Sequence, residues 1–133
     1  MRKAVLILEN SQQDVRAIRD ALREANLSHS VNAVSSAGDA KTWLATEGSR
    51  SAAGKMGIVF ANIHDPECEG LPLLEWLREQ SYSAGLLIVA LTERSQLRDV
   101  VKAYELGAHT FLVKPVHMED IKTLTKTYPQ YCG

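Results

Sequence analysis

The stretch Gly57-Ile58-Val59-Phe60-Ala61-Asn62-Ile63-His64-Asp65-Pro66-Glu67-Cys68-Glu69-Gly70-Leu71-Pro72-Leu73-Leu74 changes character twice. Ile58 to Ala61 is an unbroken apolar run of strand length, as expected of a strand covered on both faces; a half-exposed strand would alternate apolar with polar residues. A polar turn carrying Pro66 and Gly70 follows. Leu73, Leu74 and Leu77 then recur at helical spacing. A doubly covered strand running through a turn into an amphipathic helix is one βα unit of a mostly parallel sheet.

The rest of the chain repeats that unit. Ala4 to Leu8 is a second near-continuous apolar run. After it, Ser11 offers an N-cap with Asp14 three residues on, and Val15, Ile18, Leu22 and Ala25 mark a helix ending before Asn26. Val31 to Val34 is a weaker strand, followed by Ser36 as a cap and by Ala40, Trp43 and Leu44 on one helical face. Leu86 to Leu91 is the fourth strand, with Leu97, Val100, Val101 and Tyr104 at i, i+3, i+4 and i+7 behind it. Thr110 to Val113 is the fifth. Ile121, Leu124 and Tyr128 mark a last helix, which Pro129 is expected to end. Trp43, Trp76 and Tyr104 lie on the expected apolar faces and are assigned to the helical layers. The reading is α/β with five βα units, a single domain over 1–133 with no output domain.

Composition narrows the partners. With 133 residues, 45% hydrophobic and 23% charged, the chain suits one core. A net charge of −1 gives no global pull towards nucleic acid or anionic lipid. The fourth helix mixes Arg94, Arg98 and Lys102 with Glu93, Asp99 and Glu105, unlike a nucleic-acid stripe. No apolar run reaches the length of a membrane span and no signal peptide precedes the first strand, so a cytoplasmic protein is expected. Cys68 and Cys132 lack CxxC spacing and read as reduced thiols.

Two local patterns invite a chemical reading and lose to a plainer one. Gly54-Lys55, in a Gly- and Ser-rich surface loop from Gly48 to Gly57, is no phosphate loop: Gly48 is misplaced, Met56 replaces Ser or Thr, and the loop precedes a strand. His64, Asp65, Glu67, Cys68 and Glu69 crowd one loop, but Pro66 and Gly70 already account for a turn there.

In doubly wound sheets, ligands gather outside the carboxyl ends of the strands. Those ends here carry Glu9 and Asn10, Asn62, Thr92, and Lys114 followed by Pro115. Singly, each has a plain explanation: turn entry for Glu9 and Asn10, a helix cap for Thr92, an exposed lysine for Lys114. Jointly, an acid, two amides, a hydroxyl and an amine around one rim describe a site.

With these residues in place the chain resembles, over essentially its whole length, the response-regulator receiver domains of two-component signalling. Leu6-Ile7-Leu8-Glu9-Asn10 is similar to the family's first strand with its acidic pair, and Asn62 to Pro66 with Gly70 to the phosphoacceptor strand and its turn. Val89-Ala90-Leu91-Thr92 and Gly107-Ala108-His109-Thr110-Phe111-Leu112-Val113-Lys114-Pro115 resemble the fourth- and fifth-strand signatures. The resemblance implies a flavodoxin-like α/β/α fold with strand order 2-1-3-4-5. It also implies Thr92 and Phe111 as switch positions, Lys114 as the phosphate-contacting lysine, and a cis Lys114-Pro115 bond.

The departures carry the functional expectation. The family's phosphoacceptor is an aspartate, whereas Asn62 is an uncharged amide whose oxygen lone pair is delocalised, a poor nucleophile. Asn10 stands at the second acidic position. Magnesium prefers anionic oxygen ligands, so the vestigial set Glu9, Asn10, Asn62 and the His64 carbonyl is expected to bind it weakly or not at all, and no other cofactor is expected. Lys114, with Glu9 as its only nearby acid, is expected to form an ion pair that locks one conformation. The resulting expectation is a degenerate receiver, not an enzyme, working through protein contact in a phosphorelay or two-component pathway. Its partner would be a histidine kinase, a photoreceptor or an output protein. Homodimerisation through the fourth helix, fifth strand and fifth helix, about Ser95 to Tyr128, is the further mode the resemblance implies. The alternatives are phosphotransfer at an unusual acceptor, His64 or Asp65, and small-molecule sensing at the rim.

Overall fold

The computed structural model describes residues 4–27, 30–48 and 56–132. Gly54 and Lys55 lie outside them. Five strands, β1 Ala4–Leu8, β2 Ser30–Val34, β3 Met56–Asn62, β4 Leu87–Thr92 and β5 Thr110–Val113, form one parallel sheet in the order β2-β1-β3-β4-β5. The helices are α1 Gln12–Glu24, α2 Ala37–Trp43, α3 Gly70–Leu77, α4 Asp99–Glu105, α5 Met118–Thr127 and α6 Pro129–Cys132. The expected doubly wound, flavodoxin-like α/β/α arrangement is therefore the one observed.

The unbroken apolar strands are explained by the two cores they separate. Side chains alternate across a strand. Val5, Ile7, Ile58, Phe60, Leu87, Val89 and Leu91 pack with Ile18 and Leu22 of α1 and Ile121 and Leu124 of α5. Leu6, Leu8, Val59, Ala61, Ile88 and Ala90 pack on the other face with Ala37, Ala40, Leu73, Leu74, Leu77 and Ala103. From Val5 to Leu8, Ile58 to Ala61 and Leu87 to Leu91 neither face of the central strands meets water, so neither tolerates a polar residue until the strand ends. Each fully buried leucine contributes about 1.5–3 kcal/mol of burial. That pressure fixes the register, because a one-residue slip would exchange the two faces.

Two elements differ from the sequence reading. Tyr104 does not fill a helical layer: it is 46% exposed, and Leu97 and Val101 are exposed beside it. Val100 and Ala103 face the sheet instead, because the apolar arc of this short helix is wider than the sheet can cover. Trp43 and Trp76 are partly buried against the core, as expected. Pro129 ends α5 but also opens α6, whose Cys132 is buried; proline's fixed φ suits the first position of a helix.

Candidate functional site

The carboxyl edge of the sheet gathers Glu9, Asn62 and Lys114 into one buried cluster. Each sits at or just beyond the end of a strand, β1, β3 and β5 respectively, so the parallel order brings the three to one rim. Gly70 permits the close approach of α3: a Cβ there would overlap the Asn62 carbonyl oxygen and lie 2.7 Å from its carbon.

Asn62 is completely buried, and its amide is oriented by its neighbours. Its Nδ2 donates to both oxygens of Glu9, at 3.1 and 3.0 Å. Its Oδ1 accepts from the backbone N–H groups of His64 and Asp65, each at 3.0 Å. A carboxylate can only accept and a backbone N–H can only donate, so the amide has one allowed orientation. Glu9, 3% exposed, receives two further donors: Ser11 N–H on Oε2 at 3.1 Å and Lys114 Nζ on Oε1 at 2.7 Å.

Lys114 is not limited to Glu9. Its Nζ also lies 2.7 Å from Asp14 Oδ2, across a sequence separation of 100 residues. This corrects the expectation of a single nearby acid. Asp14 was legible as a capping partner for Ser11, and half of that holds: Ser11 Oγ accepts from Asp14 N–H at 3.3 Å. The reciprocal bond is absent, because Ser11 N–H goes to Glu9 and leaves the Asp14 carboxylate free to turn to the lysine. The one available signal was position, an acid in the first turn of the helix that leaves the rim. Burial pulls the Lys114 pKa down, but hydrogen bonds and charges from Asp14 and Glu9 outweigh it and leave the pKa above the ordinary 10.5.

The other expected positions surround this cluster without joining it. Asn10 is exposed and lies beside Asp65, whose pKa is lowered first by the Glu67 backbone N–H and then by the Asn10 side chain. Thr92 is buried and sends its hydroxyl proton to the following turn, with Gln96 O at 3.2 Å and Glu93 O at 3.4 Å. Phe111 is half-buried and meets Tyr104 edge to face, with ring centroids 6.4 Å apart. The Lys114-Pro115 peptide is cis. His64 has a buried Nε2 without a hydrogen-bond partner, 3.8 Å from Glu93 Oε1. Cys68 is buried, and desolvation pushes its thiol up to about 11, away from nucleophile chemistry.

This chain over residues 5–126 matches the family model described as response regulator receiver domain. The chain belongs to that family. It is 21% identical over 119 residues to response regulator Rcp1 of Synechocystis sp. (strain PCC 6803), covering 90% of this chain and 81% of that protein. To two-component response regulator ARR5 of Arabidopsis thaliana it is 30% identical over 125 residues, covering 90% of this chain and 67% of the other. Among solved structures it is similar to bacteriophytochrome response regulator RtBRR, with a TM-score of 0.76 and 30% identity over 92% of this chain and 75% of that one. The protein is thus a receiver domain of two-component signalling, with bacteriophytochrome response regulators among its relatives.

The family relationship implies magnesium, and the residues of this receiver do not fit it. A carboxylate offers about four lone-pair directions, and those of Glu9 are already met by Asn62, Ser11 and Lys114. Asn62 turns its NH2, not its oxygen, towards the acid. An ammonium stands 2.7 Å from each carboxylate. Magnesium gives up its waters reluctantly and needs carboxylate oxygens with free lone pairs at corners of a near-octahedral shell. Among the described residues no three His, Cys, Asp or Glu side chains are placed to hold a metal ion.

Proposed function

We propose that this receiver is degenerate at the phosphoacceptor position and acts in a phosphorelay or two-component pathway by phosphorylation-independent protein–protein contact. The observation that supports this reading best is the buried Asn62 amide, both ends of which are consumed by hydrogen bonds where an acceptor carboxylate would be needed. At the phosphoacceptor position the pocket offers an incoming phosphoryl group a neutral amide and no anionic nucleophile. In this reading Thr92 and Phe111 keep the positions of a switch, and Lys114 that of a phosphate contact, without a phosphate to read. The partner is a signalling protein, a histidine kinase, a photoreceptor or an output protein. The surface proposed to meet it runs along α4, β5 and α5, where Leu97, Val101 and Tyr104 are exposed together.

Incubation with acetyl phosphate and magnesium, followed by intact-mass measurement, tests the proposal. No phosphoryl adduct is expected. A stoichiometric gain mapped to the pocket, or to His64 or Asp65, would overturn it. A phosphorylation-independent partner also requires that binding of a candidate histidine kinase persist without ATP and weaken on Val101→Lys, a substitution at a 65% exposed site.

A further inference from the structure

We propose that Lys114 is a built-in cation that takes the place of the divalent metal, and that Asp14 is the positioning residue that holds it there. The cluster supplies the argument. Two carboxylates from different elements, Glu9 after β1 and Asp14 in the first turn of α1, converge on one ammonium at 2.7 Å each. The side chains of Lys114 and Glu9 are 7% and 1% exposed, so their interaction is little screened. Like charges on Glu9 and Asp14 would repel across the pocket without a cation between them. Asn62 gives Glu9 a neutral donor on its remaining side, so the acid needs no second positive charge.

The tether also has a place in the fold. Lys114 directly precedes Pro115 and the connection into α5, while Asp14 belongs to α1, and α1 and α5 pack on the same face of the sheet. The ion pair therefore fastens the β5–α5 connection to α1 with a covalently attached cation whose occupancy depends on no metal concentration. An exchangeable ion would let the connection respond to metal. This one does not. The inference goes beyond the proposed function and does not need it, since it concerns the cation and not the partner.

Thermal unfolding with and without divalent metal tests it. The wild-type midpoint is expected to be the same in EDTA and in millimolar magnesium or manganese. Lys114→Met leaves two acids without their cation; its midpoint is expected to fall by about 10 °C in EDTA and to recover partly with either metal, which would bind between the two carboxylates. A second arm needs only a mild variant. In wild-type protein labelled at lysine, the Lys114 ammonium is expected to give a slowly exchanging NMR signal at neutral pH, and Asp14→Asn is expected to lower the midpoint and abolish that signal, with Asp14→Glu restoring part of both. A metal-induced rise in the wild-type midpoint equal to that of the variant would overturn the proposal, as would a Lys114→Met midpoint indifferent to metal. An Asp14→Asn protein with unchanged midpoint and ammonium signal would overturn it too, and that arm decides if Lys114→Met does not fold. Since no readout involves phosphoryl transfer or a partner, failure here is distinct from failure of the proposed function.

Discussion

The two ends of this parallel sheet bury polar groups by opposite means. At the carboxyl end, Glu9, Lys114 and Asp14 keep their charges and pair them. At the amino end, His109 is held neutral: its Nδ1 accepts the Ile88 N–H at 3.0 Å, so the ring proton must sit on the other nitrogen. Tyr128 and Tyr131 close over that ring, with centroids 6.0 and 5.4 Å away, and Tyr128 OH donates to the His109 carbonyl at 3.2 Å. Burial pushes the His109 pKa below 6.5, more than the backbone contact at Ile88 raises it. One end is thus built from compensated charge and the other from its avoidance. The difference lies in the backbone: strand carboxyl ends converge with the first turn of α1, which can supply acids, whereas the amino end offers unpaired ladder N–H groups that a neutral imidazole can satisfy.

The largest expected effect breaks the charged end. Glu9→Ala removes the acceptor for Asn62, Ser11 and Lys114 together and is expected to cost about 3–5 kcal/mol, read from urea unfolding, because it leaves a buried amide donor unpaired and takes from a buried ammonium one of its two acids. Glu9→Gln should cost less. If the two are equal, the charge of Glu9 contributes nothing to stability.

Asn62→Asp comes next. It sets a second carboxylate against Glu9 at the former hydrogen-bonding distance, replaces a donor by an acceptor, and is expected to cost about 1–3 kcal/mol. It should restore a nucleophile while phosphorylation with acetyl phosphate stays slow. Combining it with Asn10→Asp should raise that rate in a magnesium-dependent way, because the second acid supplies an anionic ligand. Equal rates for the single and double variants would show that position 10 plays no part in metal binding.

The pH dependence separates the two ends with opposite signs. Lys114 has a folded pKa raised above 10.5, so its stabilisation is complete below the unfolded value and is lost as pH rises through the folded one. His109 has a folded pKa below 6.5, so its unfolded form binds the proton more tightly. Stability is therefore full above about 6.5 and declines as pH falls through that value towards the folded one. The acid loss should be the smallest effect, and His109→Asn, which keeps an acceptor but cannot titrate, should flatten the stability curve between neutral and mildly acid pH. An unchanged slope in that variant would exclude His109 as its source.

Much of this was written in local pattern. The continuous apolar runs Val5–Leu8, Ile58–Ala61 and Leu87–Leu91, each followed by a helical pattern, pointed to a parallel sheet covered on both faces, as βα units build it. Those runs, together with Thr110–Val113, located the rim residues Glu9, Asn62, Thr92 and Lys114, because polar residues return where the strands end. What sequence could not supply was pairing at a distance. Asp14 had a sufficient local role as a capping acid, and only the packing of α1 and α5 on one face of the sheet, with Lys114 just before α5, gave its carboxylate a stronger partner 100 residues away. Tyr104 had the spacing of a core residue, and only the narrow contact of α4 with the sheet left it exposed. His109 carried no periodic signal, because its role depends on one unpaired N–H at the start of a neighbouring strand. Hydrophobic periodicity is a property of each segment and survives in one dimension. Which acid meets which cation depends on strand order and helix placement, and those were decided by packing the whole chain.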